Sequence, residues 1–496
     1  MAELWKRSLE RIDSQWPGLK YCSLGFYSAW ILFMMGGSAV VPSSQELLQG
    51  NANNLLYLYS GVPLTIVLIL CGAFSRRVEP TISRGPLVPA MSVLAAACTF
   101  FLMGGSGLPI NGLTFALLGI GTGVGTSFLC LRIGYMYSSL DSMSVFFTTF
   151  ASGMLANLLY FVCVGLDRWL SVLVISLFLI CAMLLALLRP VDSREIDKTD
   201  AIPIKLLPRG FFLRCVLFVA VFSLAVGITK GTFTLQGEIE VVRAQAAMSV
   251  FVTLIVSAAL VVVFALVNSV KRFDLSKIYY PVIIVAALGL LLAPLLGPEF
   301  LSLQAIIVNC AYNIFVLTLW CLFANIAGQT TMSPVCVFGF GRGASALGTT
   351  AGQLIVVCAS SLVPGLFSFM STISIVLVVL VLMMSFLVLD ERTIESALEK
   401  TFREETLQAE SRPETNVEER RKLAYDNLAG RAGLTARERE VLAYLGRGRS
   451  TSFIAEELGI SYNTSKGHVR RIYAKLQVHS REELLDLIDD ALRGIS

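Results

Sequence analysis

Near the C-terminus, residues 461–476 read SYNTSKGHVRRIYAKL. Apolar residues recur there at helical spacing, at Val469, Ile472 and Leu476, so the stretch predicts a helix with one buried face. Its other face carries only positive charge, because the stretch contains no acidic residue; the cations are Lys466, Arg470, Arg471 and Lys475. A helix that is apolar on one side and cationic on the other suits the major groove of DNA. An ordinary helix with a solvated basic face would show the same pattern.

The residues before this helix predict two more helices and a tight turn. Thr435 and Glu438 form a T-x-x-E capping box, which marks the start of a helix. Thr451 can cap a second helix, and Gly459 permits the turn of a helix-turn-helix because glycine adopts left-handed backbone conformations readily. Ser461 is the predicted cap of the third helix. A fourth helix, capped by Ser480, is predicted from its apolar residues Leu484, Leu485, Ile488 and Leu492.

A family pattern is matched across this one module. The matching residues are Leu434-Thr435, Arg437-Glu438, Glu440-Val441-Leu442, Gly448, Ile454-Ala455, Leu458-Gly459-Ile460-Ser461, Thr464, Lys466, His468, Lys475-Leu476, Val478, Ser480-Arg481 and Glu483-Leu484. On these residues the segment resembles the LuxR-type (GerE-like) helix-turn-helix, which implies a four-helix DNA-binding domain.

The resemblance also implies roles for single residues. Lys466, Gly467 and Arg470 sit where the family contacts base edges, and Thr464 and Lys475 would lie near phosphates. The basic face adds Arg471 to the predicted DNA-binding residues.

Two further expectations concern the interior and the last helix of the module. The family usually has Val where this chain has Ser465, so a buried hydroxyl is expected that needs a hydrogen-bond partner. In the family the last helix, here residues 484–492, makes the dimer contact, so a homodimer on DNA is expected.

The rest of the chain has the composition of a polytopic membrane protein. Apolar residues make up 55% of the chain and charged residues 15%, a balance that a soluble protein of 496 residues would not show. The eleven cysteines form no Cys-x-x-Cys pair, and both histidines lie in the C-terminal module. We therefore expect no metal site, no disulfide framework and no cofactor. No nucleophile–base pair or phosphate loop is apparent, so an enzyme is not expected.

Twelve apolar segments are each long enough to cross a bilayer of about 30 Å. They lie near residues 21–41, 55–74, 87–105, 113–136, 145–165, 169–189, 211–229, 247–269, 279–297, 301–327, 345–364 and 366–389. The all-α, six-plus-six arrangement around a polar segment, residues 190–210, resembles the major facilitator superfamily. The loop after the second segment, Gly72 to Arg77, lacks the acidic residue of that superfamily's pattern, which argues against a standard gating network for transport.

Charge predicts the orientation of these segments. Positive residues concentrate in the N-terminus and in the connections after spans two, six, eight and ten, the last of which is predicted to contain Arg342. The opposite connections carry only Arg168, Lys230 and Arg243. By the positive-inside rule both termini face the cytoplasm, and the predicted location is a bacterial inner membrane. A further cation, Arg132, is expected to snorkel to the membrane interface.

Amide and aromatic side chains inside the apolar segments predict a site for a small ligand. Four of them share one face of span ten, namely Asn309, Tyr312, Asn313 and Trp320. The others are Asn157, Tyr160, Gln353, Tyr27 and Trp30. Such a lining favours an aromatic or phenolic compound. The alternative is that these residues join helices, as amides often do in membranes.

These observations predict three regions and one function. Residues 1–389 form a transmembrane sensor domain, residues 390–430 a cytoplasmic linker or helix, and residues 431–496 the DNA-binding domain. Together they predict a one-component transcriptional regulator whose partners are promoter DNA, a small molecule and the lipid bilayer. One alternative is a transporter that carries a regulatory tail, and another is a module that binds a protein instead of DNA.

Overall fold

A computed structural model describes residues 18–35, 52–105, 110–188, 210–236, 239–268, 276–362, 366–388, 425–446, 451–478, 483–484 and 487–488. Within these ranges every regular element is a helix, which confirms the all-α class. The chain divides into two compact units, Met1–Ala397 and Leu398–Ser496. Each unit has a hydrophobic core of its own.

The first half of the membrane unit holds a short 3-10 helix, Leu19–Cys22, and seven α-helices among its described residues. The α-helices are α1 (Ser23–Met35), α2 (Ala52–Ala73), α3 (Ser75–Arg84), α4 (Leu87–Leu102), α5 (Gly112–Tyr137), α6 (Ser142–Val164) and α7 (Arg168–Ala186). The short, charged helix α3 meets α4 at an angle of 78°. It therefore connects two spans at one end of the bundle.

The second half holds a short 3-10 helix, Pro298–Phe300, and six α-helices among its described residues. The α-helices are α8 (Phe211–Gln236), α9 (Ile239–Asn268), α10 (Ser276–Leu296), α11 (Leu301–Gln329), α12 (Pro334–Leu362) and α13 (Leu366–Val388). Outside the described residues lie the end of the first predicted span, at 36–41, and most of the polar central segment, at 190–209.

The membrane unit is a multi-pass membrane domain. Of the described helices, eight are long and apolar enough to cross a membrane, or nine when the bent pair Ser75–Ser83 and Leu87–Leu102 counts as one span. Helices occupy all twelve predicted positions, but the count of twelve spans stays a prediction.

Two predicted connections prove to be mostly helix. α8 continues through Lys230 to Gln236 and α9 begins at Ile239, so the prediction that Lys230 and Arg243 lie in a connection is wrong. α12 begins at Pro334, which places Arg342 inside a helix and not in a connection. Small and polar residues lower the hydropathy of these helix turns, and neighbouring helices stabilise them by close packing.

The two halves contact each other closely along α2 and α12, from Gly61 and Thr350 to Gly72 and Gly339. α12 packs against α8 in its own half and against α2 in the other. A Cβ atom added to Gly339 of α12 would lie only 2.7 Å from the Cα of Gly72 in α2. Nearby, the hydroxyl of Ser333 donates a hydrogen bond of 2.6 Å to Oε2 of Glu79. We call this region, residues 72–79 and 333–339, the closed end.

Arg132 is held inside the protein, so the prediction that it snorkels is wrong. Its side chain is buried, and its Nε donates to the carbonyl of Ala186 over 3.1 Å. Its Nη1 donates to the carbonyl of Ser83 over 2.6 Å. Both carbonyls lie at helix C-termini, where the helix dipole favours a cation.

The C-terminal unit contains a helical segment at residues 425–431 followed by α14 (Ala436–Gly446), α15 (Thr451–Glu457) and α16 (Tyr462–Leu476). Its core includes Val441, Leu442, Ile454, Ile472 and Leu484. Most of the predicted linker, at 390–424, and most of the predicted fourth helix, around 479–496, lie outside the described residues.

Candidate functional site

The helix-turn-helix begins with the capping box that the sequence predicted. The backbone N–H of Thr435 donates to Oε2 of Glu438 over 2.9 Å. In return, the N–H of Glu438 donates to Oγ1 of Thr435 over 3.3 Å. Both hydrogen bonds of the box are therefore present, and they satisfy N–H groups that have no partner within the helix.

The turn and the caps around α16 also follow the sequence. Gly459 has φ 62°, a left-handed conformation that glycine adopts without strain. The hydroxyl of Ser461 accepts a hydrogen bond of 3.1 Å from the N–H of Thr464, as an N-cap does. At the other end Gln477 has φ 56° and ends the helix. The predicted bounds of the helix are confirmed.

One face of α16 presents positive charge to solvent. Among the predicted DNA-binding residues, Thr464, Lys466, Arg470 and Arg471 are exposed. A Cβ atom added to Gly467 would meet only the tip of Arg471, at 3.7 Å, so the backbone there is accessible. On the opposite face Ser465 is fully buried, as the sequence predicted.

Lys475 differs from the other cations of this helix. Its Nζ lies 2.7 Å from Oε2 of Glu438 and 3.0 Å from the carbonyl of Gly433. This hydrogen bond from Lys475, together with the backbone N–H of Thr435, lowers the pKa of Glu438 to about 2. The charge of Lys475 is thus partly used within the module, and its contact with phosphate stays a prediction.

The membrane unit contains a cavity between its two halves. Residues of α1, α2, α5, α6, α8, α9, α11 and α12 line it, and its volume is about 190 Å³. The predicted ligand residues that line it are Tyr27, Trp30, Asn157, Asn309, Tyr312, Asn313, Trp320 and Gln353. Helices that are distant in sequence therefore bring these side chains together.

Tyr160 does not line this cavity, in contrast to the other predicted ligand residues. It is buried, and its ring lies 6.0 Å from the ring of Phe33. Asn157 lies nearly one turn earlier on α6 and does reach the cavity. Tyr160 was predicted by residue type, as an aromatic side chain in the same span as Asn157, but its side of the helix faces α1.

The cavity has a deep end and an outer end. Leu68, Trp320 and Arg342 line the part nearest to the closed end, and Tyr57, Phe233 and Val242 line the part furthest from it. On α12 the lining begins at Arg342, eight residues from Pro334, which corresponds to about 12 Å along the helix. The closed end therefore separates the cavity from the loops on that side.

Some of the polar lining residues join helices, as the alternative interpretation requires. Nε1 of Trp30 in α1 donates to Oγ1 of Thr99 in α4 over 3.1 Å. Nδ2 of Asn313 in α11 approaches Oγ1 of Thr253 in α9 at 3.4 Å. These contacts account for part of the polar lining without a ligand.

Other amide groups in the cavity have no hydrogen-bond partner among the described residues. These atoms are Nδ2 of Asn157, Nε2 of Gln245, Oδ1 of Asn309 and Oε1 of Gln353. Because buried polar atoms are nearly always paired in native proteins, water or a ligand is needed to satisfy them. The cavity therefore offers several hydrogen-bonding groups to an occupant.

Two cations in the cavity were not among the predicted site residues. Nζ of Lys230 lies 5.4 Å from the ring centroid of Tyr312, and Cζ of Arg342 lies 5.6 Å from that of Trp320. The sequence assigned both cations to connections. For Arg342 the sequence does contain a pattern that indicates the cavity. The polar residues Arg342, Ser345, Thr349 and Gln353 are spaced as one face of a helix, and all of them line the cavity.

Comparison with known proteins identifies the C-terminal module. Residues 432–488 match the family described as bacterial regulatory proteins, luxR family. The monoamine regulon transcriptional regulator of Klebsiella aerogenes is 46% identical over 52 residues, which is 10% of this chain and 23% of that protein. The probable transcriptional regulatory protein SgaR of Hyphomicrobium methylovorum is 52% identical over 48 residues, which is 10% of this chain and 23% of that protein. The chain thus spans about a quarter of the length of the relatives it matches.

The membrane unit resembles solved transporter structures. The human organic anion transporter MFSD10 (TETRAN) aligns with a TM-score of 0.50 and 12% identity, over 74% of this chain and 99% of that one. A bacterial homologue of the iron transporter ferroportin, in an outward-facing state with soaked iron, aligns with a TM-score of 0.52 and 15% identity. The alignment covers 75% of this chain and 98% of that one. At this identity the likeness shows the fold alone. The chain is a hybrid in which a membrane domain with the fold of major facilitator transporters is joined to a C-terminal DNA-binding domain of the LuxR family.

Proposed function

We propose that this chain is a membrane-embedded one-component transcriptional regulator that senses a small molecule in its cavity. The single observation that carries the proposal is that one chain holds both this cavity, with its unpaired amide groups, and a LuxR-type helix-turn-helix. A ligand that binds one arrangement of the bundle more tightly than another would shift the population toward it.

The output of the regulator is DNA binding by α16. Thr464, Lys466, Gly467, Arg470 and Arg471 are the proposed contacts, with Lys475 as a further candidate near phosphate. A single module buries too little surface to select a promoter, so two modules pair on a two-fold symmetric site. The last helix, around residues 484–492, is the proposed dimer contact.

The proposed topology follows from this output. The module must share a compartment with DNA, so both termini are cytoplasmic and twelve spans cross a bacterial inner membrane. Residues 390–430 connect α13 to the module and transmit the change. The closed end then faces the cytoplasm, and the cavity is reached from the opposite side. An aromatic or phenolic ligand suits the ring-lined cavity.

The proposal is tested with a reporter for the promoter next to the gene, in cells that express the full chain. Compounds are first screened for induction or repression with the wild type. Asn309→Leu and Gln353→Leu should then shift the dose response at least tenfold, while membrane levels stay unchanged. The matched control is Tyr160→Phe, which alters a buried membrane residue outside the cavity. Wild-type dose curves for both cavity variants would support the interpretation that these residues only join helices.

A transporter with a regulatory tail is the second candidate, because the cavity lies between two halves with a transporter fold. Vesicles that contain either the full chain or residues 1–410 separate the candidates. A transporter would accumulate the inducing compound in both cases. A sensor would bind the compound without accumulating it.

A further inference from the structure

We infer that the cavity takes a small organic anion whose carboxylate, or a similar oxyanion, pairs with Arg342 while its apolar part packs on the aromatic lining. The inference rests on the proposed function, because it names the ligand class of the same cavity. It adds a negative charge to the expected aromatic or phenolic compound, an expectation that was based on the rings and amides alone.

The charge of Arg342 has no counter-ion among the described residues. Its Nε and Nη1 atoms are buried and have no hydrogen-bond partner in the part of the chain that the structure describes. Its guanidinium lies near the face of Trp320, the sulfur of Cys130 and the side chain of Tyr27. A ring face and a thiol sulfur are weak acceptors compared with a carboxylate. A guanidinium inside a membrane protein with only such neighbours is suited to bind an anion.

Lys230 forms a second pair of a cation and an aromatic ring, nearer the outer end of the cavity. Its ammonium lies over the ring of Tyr312, eight residues before Trp320 on α11. The two cation–ring pairs are therefore about 12 Å apart along that helix. One cation sits deep and one sits further out, so the potential along the cavity is positive over its length and attracts anions.

The acidic side chains that the structure describes in the membrane unit are four, and all lie elsewhere; the side chain of Glu240 in α9 is outside the described part of the chain. Glu79 accepts from Ser333 at the closed end. Asp141 and Asp167 are N-caps of α6 and α7, and Glu299 lies in the turn before α11. None of them lines the cavity, so no described carboxylate neutralises the two cations.

The size and lining of the cavity indicate an organic anion. A single water needs roughly 10–15 Å³ of such space, and the cavity offers about 190 Å³. Tyr27, Trp30 and Tyr312 supply apolar surface, and the unpaired atoms of Asn157 and Asn309 supply hydrogen bonds. A bare halide or phosphate would leave this surface unused.

The test uses thermal unfolding of the purified full chain in detergent with millimolar probes. The acids are benzoate, phenylacetate and 4-hydroxyphenylacetate, and each is compared with its uncharged amide; chloride and sulfate serve as inorganic anions. At least one acid should raise the unfolding temperature by several degrees, while its amide does not. Arg342→Gln should lose this shift, Arg342→Lys should keep part of it, and Arg243→Gln, which removes an exposed cation of α9, should keep all of it.

A second measurement needs no ligand. If Arg342 is an uncompensated charge, the empty Arg342→Gln protein should unfold at the same temperature as the wild type or at a higher one. A drop of several degrees would mean that the guanidinium has a structural counter-ion, and would overturn the inference. Stabilisation by an amide as large as by its acid, by inorganic anions alone, or by none of the probes would overturn it as well.

The outcomes also separate this inference from the function on which it rests. Stabilisation by acids that never alter the reporter would leave the anion site standing and contradict its role in transcription. If neutral compounds change the reporter output and still do so in the Arg342→Gln variant, the role in transcription would stand and the anion site would be contradicted.

Discussion

The ammonium of Lys475 lies 2.7 Å from the carboxylate of Glu438, so the end of the recognition helix is bound to the start of α14. The carboxylate is almost fully buried, with 2% of the side chain exposed, and Lys475 is 35% exposed. Glu438 also closes the capping box with Thr435. One carboxylate therefore fixes both the beginning of the module and the orientation of α16.

Replacing Lys475 by Met should destabilise the module. The change leaves a buried carboxylate with one charged partner fewer, which should cost about 1–3 kcal/mol of unfolding free energy. Urea unfolding of residues 418–496, a segment of the compact unit that has its own core, measures the cost. The matched control is Arg439→Ala, because the pair of Arg439 and Asp426 is exposed on both sides and should contribute less than about 1 kcal/mol. Equal losses for both variants would contradict the structural role of Lys475.

The stability of the module should fall in acid through Glu438. Its pKa is lowered to about 2 in the folded state, against about 4.3 for an unfolded chain. Between these values the unfolded state binds a proton that the folded state does not, so stability falls as pH decreases from about 4.3 to about 2. Unfolding free energies measured across this range should show a shallower slope for Glu438→Gln. An identical slope in the variant would assign the acid sensitivity to other carboxylates.

Replacing Arg470 or Lys466 by Ala should weaken promoter binding. Both side chains are exposed on the cationic face of α16, and loss of a base contact costs about 1–3 kcal/mol, or roughly 5-fold to 150-fold in affinity. Reporter output and mobility shifts with the adjacent promoter measure the loss, with membrane levels as a check. Arg439→Ala removes a cation outside this helix and should bind as the wild type does. Unchanged binding by both helix variants would refute the assignment of the recognition helix.

Changing Glu79 to Gln should loosen the closed end. The hydrogen bond from Ser333 would then end on a neutral acceptor, which is weaker than a carboxylate. If ligand binding and closure are coupled, the reporter should show a shift of basal output, and the ligand concentration for half response should change by about 2-fold to 10-fold. Ser333→Ala should shift both in the same direction. Opposite shifts in these two variants would show that their contact does not control the bundle.

Much of the DNA-binding module could be predicted from the sequence because its signals are local. The capping box of Thr435 and Glu438 spans four residues, and the cationic face of α16 repeats with the helical period. The left-handed turn at Gly459 needs one residue type. Each of these features depends on neighbours within about one helical turn, so an amino-acid pattern specifies it without knowledge of the rest of the chain.

The cavity could be predicted only in part. Helical spacing on span ten indicated that Asn309, Tyr312 and Trp320 share a face, and the structure brings that face to the cavity. The prediction also included Tyr160 by residue type, and this residue faces another helix. The prediction omitted Arg342 and Lys230, because glycine, serine and charge lower the hydropathy of helix turns that neighbouring helices nevertheless bury.

By itself the sequence determined the class of the protein: an apolar helical chain with a LuxR-type module at its end, since composition and helical period depend on the residues alone. The tertiary structure alone decided how the charges are used. Arg342 and Lys230 enter a cavity, and Lys475 turns inward to Glu438. The physical reason is that the surroundings of a charge depend on which helix faces converge, and those faces come from residues up to hundreds of positions apart.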